Sequence, residues 1–188
     1  MKLRFVTEAD VPALLDIYRH YMSTIITFEY TLPGPEEFTH RVADISETYP
    51  YLVIEEDGQL LGYAYAHRIA QRAAYGWGAE LSVYLHPDAA GKGLGTRLYR
   101  ALMELLRLQG VRTAYGLVAS PNPASEGLHT ALGFRLMGVQ RKAGYKNGRW
   151  IDLLWFEKAI SPYDPQPGPV IPVGALPQDQ VQAVLDSF

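Results

Sequence analysis

Residues 80–96 read ELSVYLHPDAAGKGLGT, and this stretch decides the fold that we predict for the chain. A predicted strand over residues 79–86 is stopped by Pro87, and a glycine-rich turn follows it. Residues 96–108 then carry leucines and alanines at i, i+3 and i+4, which is typical of an amphipathic helix. Glycines let a backbone approach a ligand closely, and the first amides of a helix attract phosphate. The turn therefore predicts a diphosphate site at residues 91–96.

Two familiar phosphate-binding loops do not fit this turn. A P-loop requires Gly-Lys followed directly by Ser or Thr, and no such triplet occurs in the chain. A dinucleotide fingerprint that starts at Gly91 requires a glycine at its sixth position, where the chain has Thr96. On this motif alone, a turn that merely reverses the chain stays open as an alternative.

Composition narrows the class of protein. The 188 residues predict one domain with a sizeable core, and a formal net charge of −3 gives no reason to expect nucleic acid or a membrane as partner. The absence of cysteine excludes disulfides, cysteine-ligated metals and a cysteine nucleophile. Because the N-terminus is charged and no apolar run approaches the ~20 residues of a membrane span, we expect a cytoplasmic protein.

The remaining patterns predict an α/β domain with a mostly antiparallel sheet, in the order β-α-α-β-β-β-α-β-α-β-β. The dipeptides Asp57-Gly58 and Asn147-Gly148 each separate two β-rich runs and predict hairpins. We place this domain at residues 1–160. Six prolines between residues 161 and 177 predict an extended tail, and residues 178–188 predict a short helix. Such a helix is marginal alone, so it docks on the body or on a neighbouring subunit.

With these segments in view, the chain resembles the GNAT N-acetyltransferases. Their acetyl-CoA signature has Gln or Arg, two free positions, Gly, one free position, and Gly or Ala. Here it falls on residues 90–95, with Ala90 in the first position. A narrower likeness, over residues 3 to about 158, is to the enzymes that acetylate phosphinothricin and methionine sulfoximine or sulfone. It is carried by FE at 28–29, RAAYGW at 72–77, AELSVY at 79–84, PN at 121–122, HTALGF at 129–134 and GYKNGRWID at 144–152.

The resemblance implies a GNAT fold, with a mixed, mostly antiparallel sheet of about seven strands and about four helices. It also implies acetyl-CoA as co-substrate and a homodimer in which Lys146, Arg149 and Trp150 complete the partner's pocket. The residues expected to bind the cofactor are three strand residues, the glycine turn and an asparagine that is also a helix-cap candidate: Val83, Tyr84, Leu85, Gly91, Lys92, Gly93, Leu94, Gly95, Thr96 and Asn122.

Acetyl transfer requires a base, because an alkyl ammonium with a pKa near ~10 keeps its proton at pH 7. Glu80 is the predicted base, since the family has its base there and burial beside apolar residues would raise its pKa. The alternative for Glu80 is an exposed carboxylate at the end of a strand. His129 stands where many relatives carry a Tyr that protonates the thiolate, so we predict an acid or a second base.

The alternative for His129 is a helix histidine bonded to a neighbouring carbonyl. The other four histidines are predicted to be structural, and their scatter predicts no metal site: His20, His40, His67 and His86.

The substrate residues are the weakest part of the pattern. Arg72 is predicted to clamp a carboxylate or phosphinate, with a solvated loop charge as the alternative. Phe28, Tyr75 and Trp77 are predicted to wall the amine pocket, with core or dimer packing as the alternative. This chain has Gly76 and Ala119. The phosphinothricin enzymes that it resembles usually have Asp at the first of these positions and Gly at the second.

The sequence thus predicts an N-acetyltransferase that acts on a small amino-acid-like amine. The same chemistry on a polyamine, an aminoglycoside or a protein N-terminus stays open. So does a non-catalytic sensor of acyl-CoA, which would keep the glycine turn and need no base.

Overall fold

Seven strands form one sheet in a computed structural model that describes residues 1–188. The strands are β1 (Lys2–Phe5), β2 (Tyr51–Glu56), β3 (Gln59–Arg68), β4 (Gly78–Leu85), β5 (Thr113–Ser120), β6 (Arg135–Lys146) and β7 (Arg149–Ala159). The helices are α1 (Val11–Arg19), α2 (Pro35–Thr48), α3 (Leu94–Gln109), α4 (Pro123–Ala131) and α5 (Gln178–Ser187). None of these helices has the length and apolar character needed to cross a membrane.

The strand order is β1-β2-β3-β4-β5-β7-β6, and only the pair β4–β5 is parallel. The predicted fold, a mostly antiparallel sheet of seven strands, is confirmed. The chain has five α-helices where about four were expected, and the additional one is the short helix predicted at the chain end.

Local sequence signals account for the hairpins. Asp57 and Asn147 both have positive φ, at 51° and 52°, and each is followed by a glycine with positive φ. Two successive left-handed residues form the turn whose twist matches that of paired strands, and Asp-Gly and Asn-Gly adopt it at little cost. These two turns fix the β2–β3 and β6–β7 hairpins.

The centre of the sheet is covered on both faces. In β2, residues Tyr51 and Val53 pack with α1 and α2, while Leu52 and Ile54 pack in the cluster that contains α3. All four are buried, as expected for a strand between two layers. Alternate residues of β4 therefore face different layers, and this alternation decides where its functional side chains lie.

The tail after residue 160 lies against the body of its own chain. Arg112 forms an ion pair with Asp164 at 2.6 Å, and the indole of Trp77 donates to the Gly168 carbonyl at 2.8 Å. Four apolar tail residues then join the core beside α3: Val173, Leu176, Val181 and Leu185. Trp77, expected in the amine pocket, is therefore a contact for the tail.

The parallel pair β4–β5 opens after three residues. Gly78, Ala79 and Glu80 pair with β5, and no pairing follows. From there β4 continues along β3 and β5 continues along β7. Because each strand follows a different neighbour, a cleft opens between residues 81–85 and residues 116–120. The glycine turn, which predicted the fold, lies at the far end of β4.

Candidate active site

The cleft encloses a cavity of about 60 Å³. Four of the predicted cofactor and catalytic residues line it: Val83, Tyr84, Asn122 and His129. The lining is Ile26, Leu81, Ser82, Val83, Tyr84, Tyr99, Leu117, Val118, Ala119, Asn122, Ser125 and His129. Asn122 caps α4 by accepting a hydrogen bond from the Ser125 N–H at 3.2 Å, so the helix-cap prediction is confirmed.

Two tyrosine hydroxyls mark the edge of β4 that faces the cleft. The Leu81 carbonyl accepts from Tyr99 at 3.0 Å. The Leu85 carbonyl accepts from the Tyr21 hydroxyl at 2.7 Å, and the Leu85 N–H donates to the same oxygen at 3.0 Å. Neither tyrosine belongs to β3, so Leu81 and Leu85 turn their backbone groups away from that strand.

Backbone groups alternate between the two edges of a strand. Val83, midway between Leu81 and Leu85, therefore also turns its N–H and C=O towards the cleft, whereas Tyr84 turns its groups towards β3. The sequence predicted that Val83, Tyr84 and Leu85 all bind the cofactor arm through their backbone. In the structure the ladder with β3 occupies the backbone of Tyr84, the Tyr21 hydroxyl bonds the backbone of Leu85, and the backbone of Val83 is left open.

The glycine turn presents a set of free amides. Gly91 and Gly93 both have φ of +76°, and a Cβ placed on either would meet no atom within 4 Å. No backbone N–H between residues 91 and 96 donates to an acceptor within the protein, and the first bond of the helix runs from Arg97 N–H to the Gly93 carbonyl at 3.1 Å. Leu94 is 3% exposed, so it offers its amide and not its side chain.

Free amides at the start of a 16-residue helix suit an anion. The turn is open to solvent at residues 91–93. Ala90, which replaces the family's Gln or Arg, is exposed and offers no polar side chain.

Glu80 lies on β4 at the last position that pairs with β5. Its side chain is 19% exposed, and burial raises the pKa of its carboxyl above the ordinary range. The alternative of a freely exposed carboxylate is therefore wrong. The ionisable side chain beside it is His67, whose Nε2 lies 3.7 Å from Glu80 Oε2. His67 was predicted to be structural, and the structure places it beside the predicted base.

His129 is 2% exposed, and its Nδ1 lies 2.8 Å from the Ser125 carbonyl oxygen. A carbonyl only accepts, so Nδ1 carries the proton and Nε2 presents a lone pair. Nε2 is buried and has no partner in the protein. Burial also lowers the pKa of the imidazole, so the neutral form is favoured. The predicted carbonyl bond is present, and it leaves the lone pair of Nε2 without a partner.

Glu80 and His129 lie on opposite faces of the sheet. Glu80 shares the α1–α2 face with the other even-numbered residues of β4, among them Tyr84. His129 stacks on Phe156 and lies edge-on to Tyr99, both in the α3 layer. A molecule in the cleft between β4 and β5 can therefore be approached by one group from each face.

The three predicted substrate residues contact different parts of the chain. Phe28 packs its ring against Gly144 of β6, where an added Cβ would lie 2.7 Å from the ring. Arg72 is exposed and begins a short 3-10 turn, so its charge is free to meet an anion. Tyr75, in that turn, is 54% exposed beside Tyr163 of the tail. The structure therefore does not gather them into one pocket.

Lys146 also differs from expectation. Its Nζ donates to the Thr27 carbonyl of the same chain at 2.7 Å, and the residue is 4% exposed. The loop between α1 and α2 is thus held against the β6–β7 hairpin by its own chain. Trp150, in contrast, is 60% exposed on that hairpin.

Comparison with known proteins identifies this architecture. Residues 3–155 match the family model described as an acetyltransferase (GNAT) domain. The chain belongs to the GNAT acetyltransferase family. The splayed β4–β5 pair and the glycine turn both lie within the matched residues.

Relatives within the GNAT family share most of the chain. A phosphinothricin N-acetyltransferase of Alcaligenes faecalis is 40% identical over 165 residues, which cover 86% of this chain and 84% of that protein. A methionine sulfoximine/methionine sulfone acetyltransferase of Pseudomonas paraeruginosa is 34% identical, covering 85% and 95%. A crystal structure of a Sinorhizobium meliloti phosphinothricin acetyltransferase with AcCoA has a TM-score of 0.81 and 36% identity, covering 84% and 86%.

Proposed function

We propose that this protein transfers the acetyl group of acetyl-CoA to the amine of a small amino-acid-like acceptor, of the class that includes phosphinothricin and methionine sulfoximine. The observation that carries the proposal is the cleft between β4 and β5. It has free amides for a diphosphate at one end and a buried carboxylate, Glu80, at the other. The acceptor class comes from the names of the relatives.

Acetyl-CoA would lie along the cleft. Its diphosphate would accept hydrogen bonds from the amides of residues 91–96, with Lys92 adding a positive charge. Its pantetheine arm would donate a hydrogen bond to the open carbonyl of Val83, as an added strand does. Asn122 uses its side-chain oxygen as a helix cap, so its amide nitrogen is available to the arm.

The proton transfers assign different roles to the two candidate groups. Glu80 takes one proton from the acceptor ammonium, and the neutral nitrogen then attacks the thioester carbon. The Val83 N–H would stabilise the oxyanion. When the carbon–sulfur bond breaks, the nitrogen loses its second proton. The free Nε2 of His129 is able to accept that proton and pass it to the leaving thiolate.

Arg72 supplies the charge that an amino-acid acceptor requires. An exposed guanidinium without an ion pair is suited to a carboxylate or phosphinate, which it binds through two hydrogen bonds. Because acetyl-CoA is an intracellular metabolite, we also propose a cytoplasmic location.

A turnover assay with a panel of acceptors tests this function. Release of the CoA thiol is measured with phosphinothricin, methionine sulfoximine, free methionine, spermidine and a peptide N-terminus. We expect the free amino acids and their analogues to give the highest kcat/KM. Turnover of spermidine or the peptide alone would overturn the acceptor class. Binding of CoA without turnover of any acceptor would instead favour a non-catalytic sensor of acyl-CoA.

We further propose a homodimer that forms through β6. This strand lies at the edge of the sheet, and three of its apolar residues are exposed: Leu136, Met137 and Val139. An exposed apolar edge strand favours association with a second sheet edge. Light scattering should give the mass of a dimer for the native chain and of a monomer for Leu136→Lys. A monomeric native chain would overturn this assembly.

A further inference from the structure

Strand pairing places a histidine beside the proposed base. His67 on β3 is the register partner of Glu80 on β4, so their side chains emerge on the same face of the sheet. His67 Nε2 lies 3.7 Å from Glu80 Oε2. The imidazole is 36% exposed, whereas the carboxylate is 19% exposed. The pair therefore connects a mostly buried carboxylate to solvent.

The second ring nitrogen fixes which atom faces Glu80. His67 Nδ1 lies 3.1 Å from the Arg68 carbonyl oxygen. Because a carbonyl only accepts, Nδ1 carries a proton and the neutral ring turns an unprotonated Nε2 towards the carboxylate. Two acceptors would then face each other. A proton on Nε2 converts this unfavourable arrangement into an ion pair, with a cationic ring beside an ionised Glu80.

We propose that His67 is a positioning residue for Glu80, which keeps the carboxylate ionised and carries its proton to solvent. This inference rests on the proposed function, in which Glu80 is the base. The cationic ring first releases its Nε2 proton to water, and the proton that Glu80 takes from the acceptor nitrogen then moves to the vacated Nε2. Only N–H and O–H bonds change, and both side chains return to their starting forms.

The other titratable groups near Glu80 are unsuited to this role. Tyr65 on β3 and Tyr99 on α3 each interact with its charge, and Tyr115 on β5 is its partner across the parallel pair. Burial raises the pKa of all three phenols above the ordinary value. They stay neutral at physiological pH. Within this group, His67 is the imidazole, and its ring nitrogen lies 3.7 Å from the carboxylate.

The pH dependence of kcat/KM tests the inference. Burial raises the pKa of Glu80 and the charge of His67 lowers it, so loss of His67 moves the carboxyl to a higher pKa. In His67→Gln we expect the acidic limb to shift upward by about one pH unit, with roughly tenfold loss of kcat/KM below the limb and little loss on the alkaline side. His67→Lys, which keeps a cation, should restore the native limb.

The control is His40→Gln, which changes an exposed histidine of α2 and should leave the profile unchanged. A His67→Gln profile that overlays the native one would overturn the inference. So would an equal loss at every pH, because that is the signature of a merely structural role.

A second measurement is independent of turnover. The ionisation of the Glu80 carboxylate is followed by carbon NMR in the native chain and in His67→Lys. In His67→Lys the carboxylate should ionise at the same pH as in the native chain or at a lower one. In His67→Gln it should ionise at a higher pH than in the native chain. If the Glu80 carboxylate ionises at the same pH in all three proteins, the inference is overturned. If no acceptor is acetylated, the proposed function fails, while this titration still decides whether His67 controls Glu80.

Discussion

The imidazole of His129 lies directly over the backbone of Gly116: a Cβ on Gly116 would come within 2.0 Å of Nε2. No real Cβ tolerates such a contact, so the glycine leaves the space that the ring occupies. The ring is held from its other side by the Ser125 carbonyl at 2.8 Å. Gly116 and Ser125 together determine where the free lone pair of His129 points.

Gly116→Ala should therefore displace the ring. We expect about a 100-fold loss of kcat, within the range for a lost acid–base group, and a destabilisation of roughly 1–3 kcal/mol from overpacking. Gly127→Ala on α4 is the control, because a Cβ there meets nothing and the change should stabilise the helix by about 0.5–1 kcal/mol. Native turnover in Gly116→Ala would show that the position of the His129 ring is unimportant.

The glycine turn allows a similarly matched pair. Gly93 and Gly58 have φ of +76° and +80°, and neither has a neighbour within 4 Å of an added Cβ. Alanine should cost about 1–2 kcal/mol of stability at either position, because both are left-handed. Only Gly93→Ala should also weaken the binding of acetyl-CoA, with a KM about tenfold higher, because the added Cβ and the strain at this φ would disturb the proposed diphosphate site. Equal KM values for acetyl-CoA in the two variants would show that the diphosphate does not bind at this turn.

The role of Arg72 is tested by the kinetic constants for the acceptor, since those for acetyl-CoA should not depend on it. Loss of a bidentate bond between Arg72 and an acceptor carboxylate should lower kcat/KM for an amino-acid acceptor by about 10- to 100-fold in Arg72→Ala. The KM for acetyl-CoA should not change. Gln71→Ala, at the exposed neighbouring position, serves as the control. If Arg72→Ala and Gln71→Ala behave alike, the guanidinium is a solvated loop charge.

Stability, in contrast, should depend on the tail. Leu185 of α5 is 9% exposed and packs in the core cluster beside α3. Leu185→Ala should lower the free energy of unfolding by roughly 2–3 kcal/mol, whereas the exposed Gln180→Ala should change it by less than about 0.5 kcal/mol. Chemical denaturation measures both. A Leu185→Ala protein as stable as the native chain would mean that α5 does not dock in solution.

The sequence predicted the features that depend on neighbouring residues. The glycine turn before α3 and the hairpins at Asp57-Gly58 and Asn147-Gly148 each follow from a few adjacent side chains and their backbone preferences. The base at Glu80 was proposed from the family pattern at this turn, and its burial in the structure agrees with the expected rise in its pKa.

Features that depend on strand register were not predictable. His67 and Glu80 belong to strands joined by a loop of nine residues, and only their pairing brings them to 3.7 Å. Gly116 gives no sequence signal, because its significance depends on a helix residue that packs over it. The hydroxyl of Tyr21 on the Leu85 backbone is likewise a contact across 64 positions.

The most direct test of the central claim is Glu80→Gln, which keeps the shape of the side chain and removes its basicity. Acetyl-CoA binding, measured by calorimetry, should stay close to native, because the cofactor contacts lie elsewhere in the cleft. We expect kcat to fall by about 10²- to 10⁴-fold, as for a lost general base. In the native enzyme, kcat/KM should fall as pH drops through the raised pKa of Glu80. A Glu80→Gln enzyme that acetylates at the native rate would contradict the account.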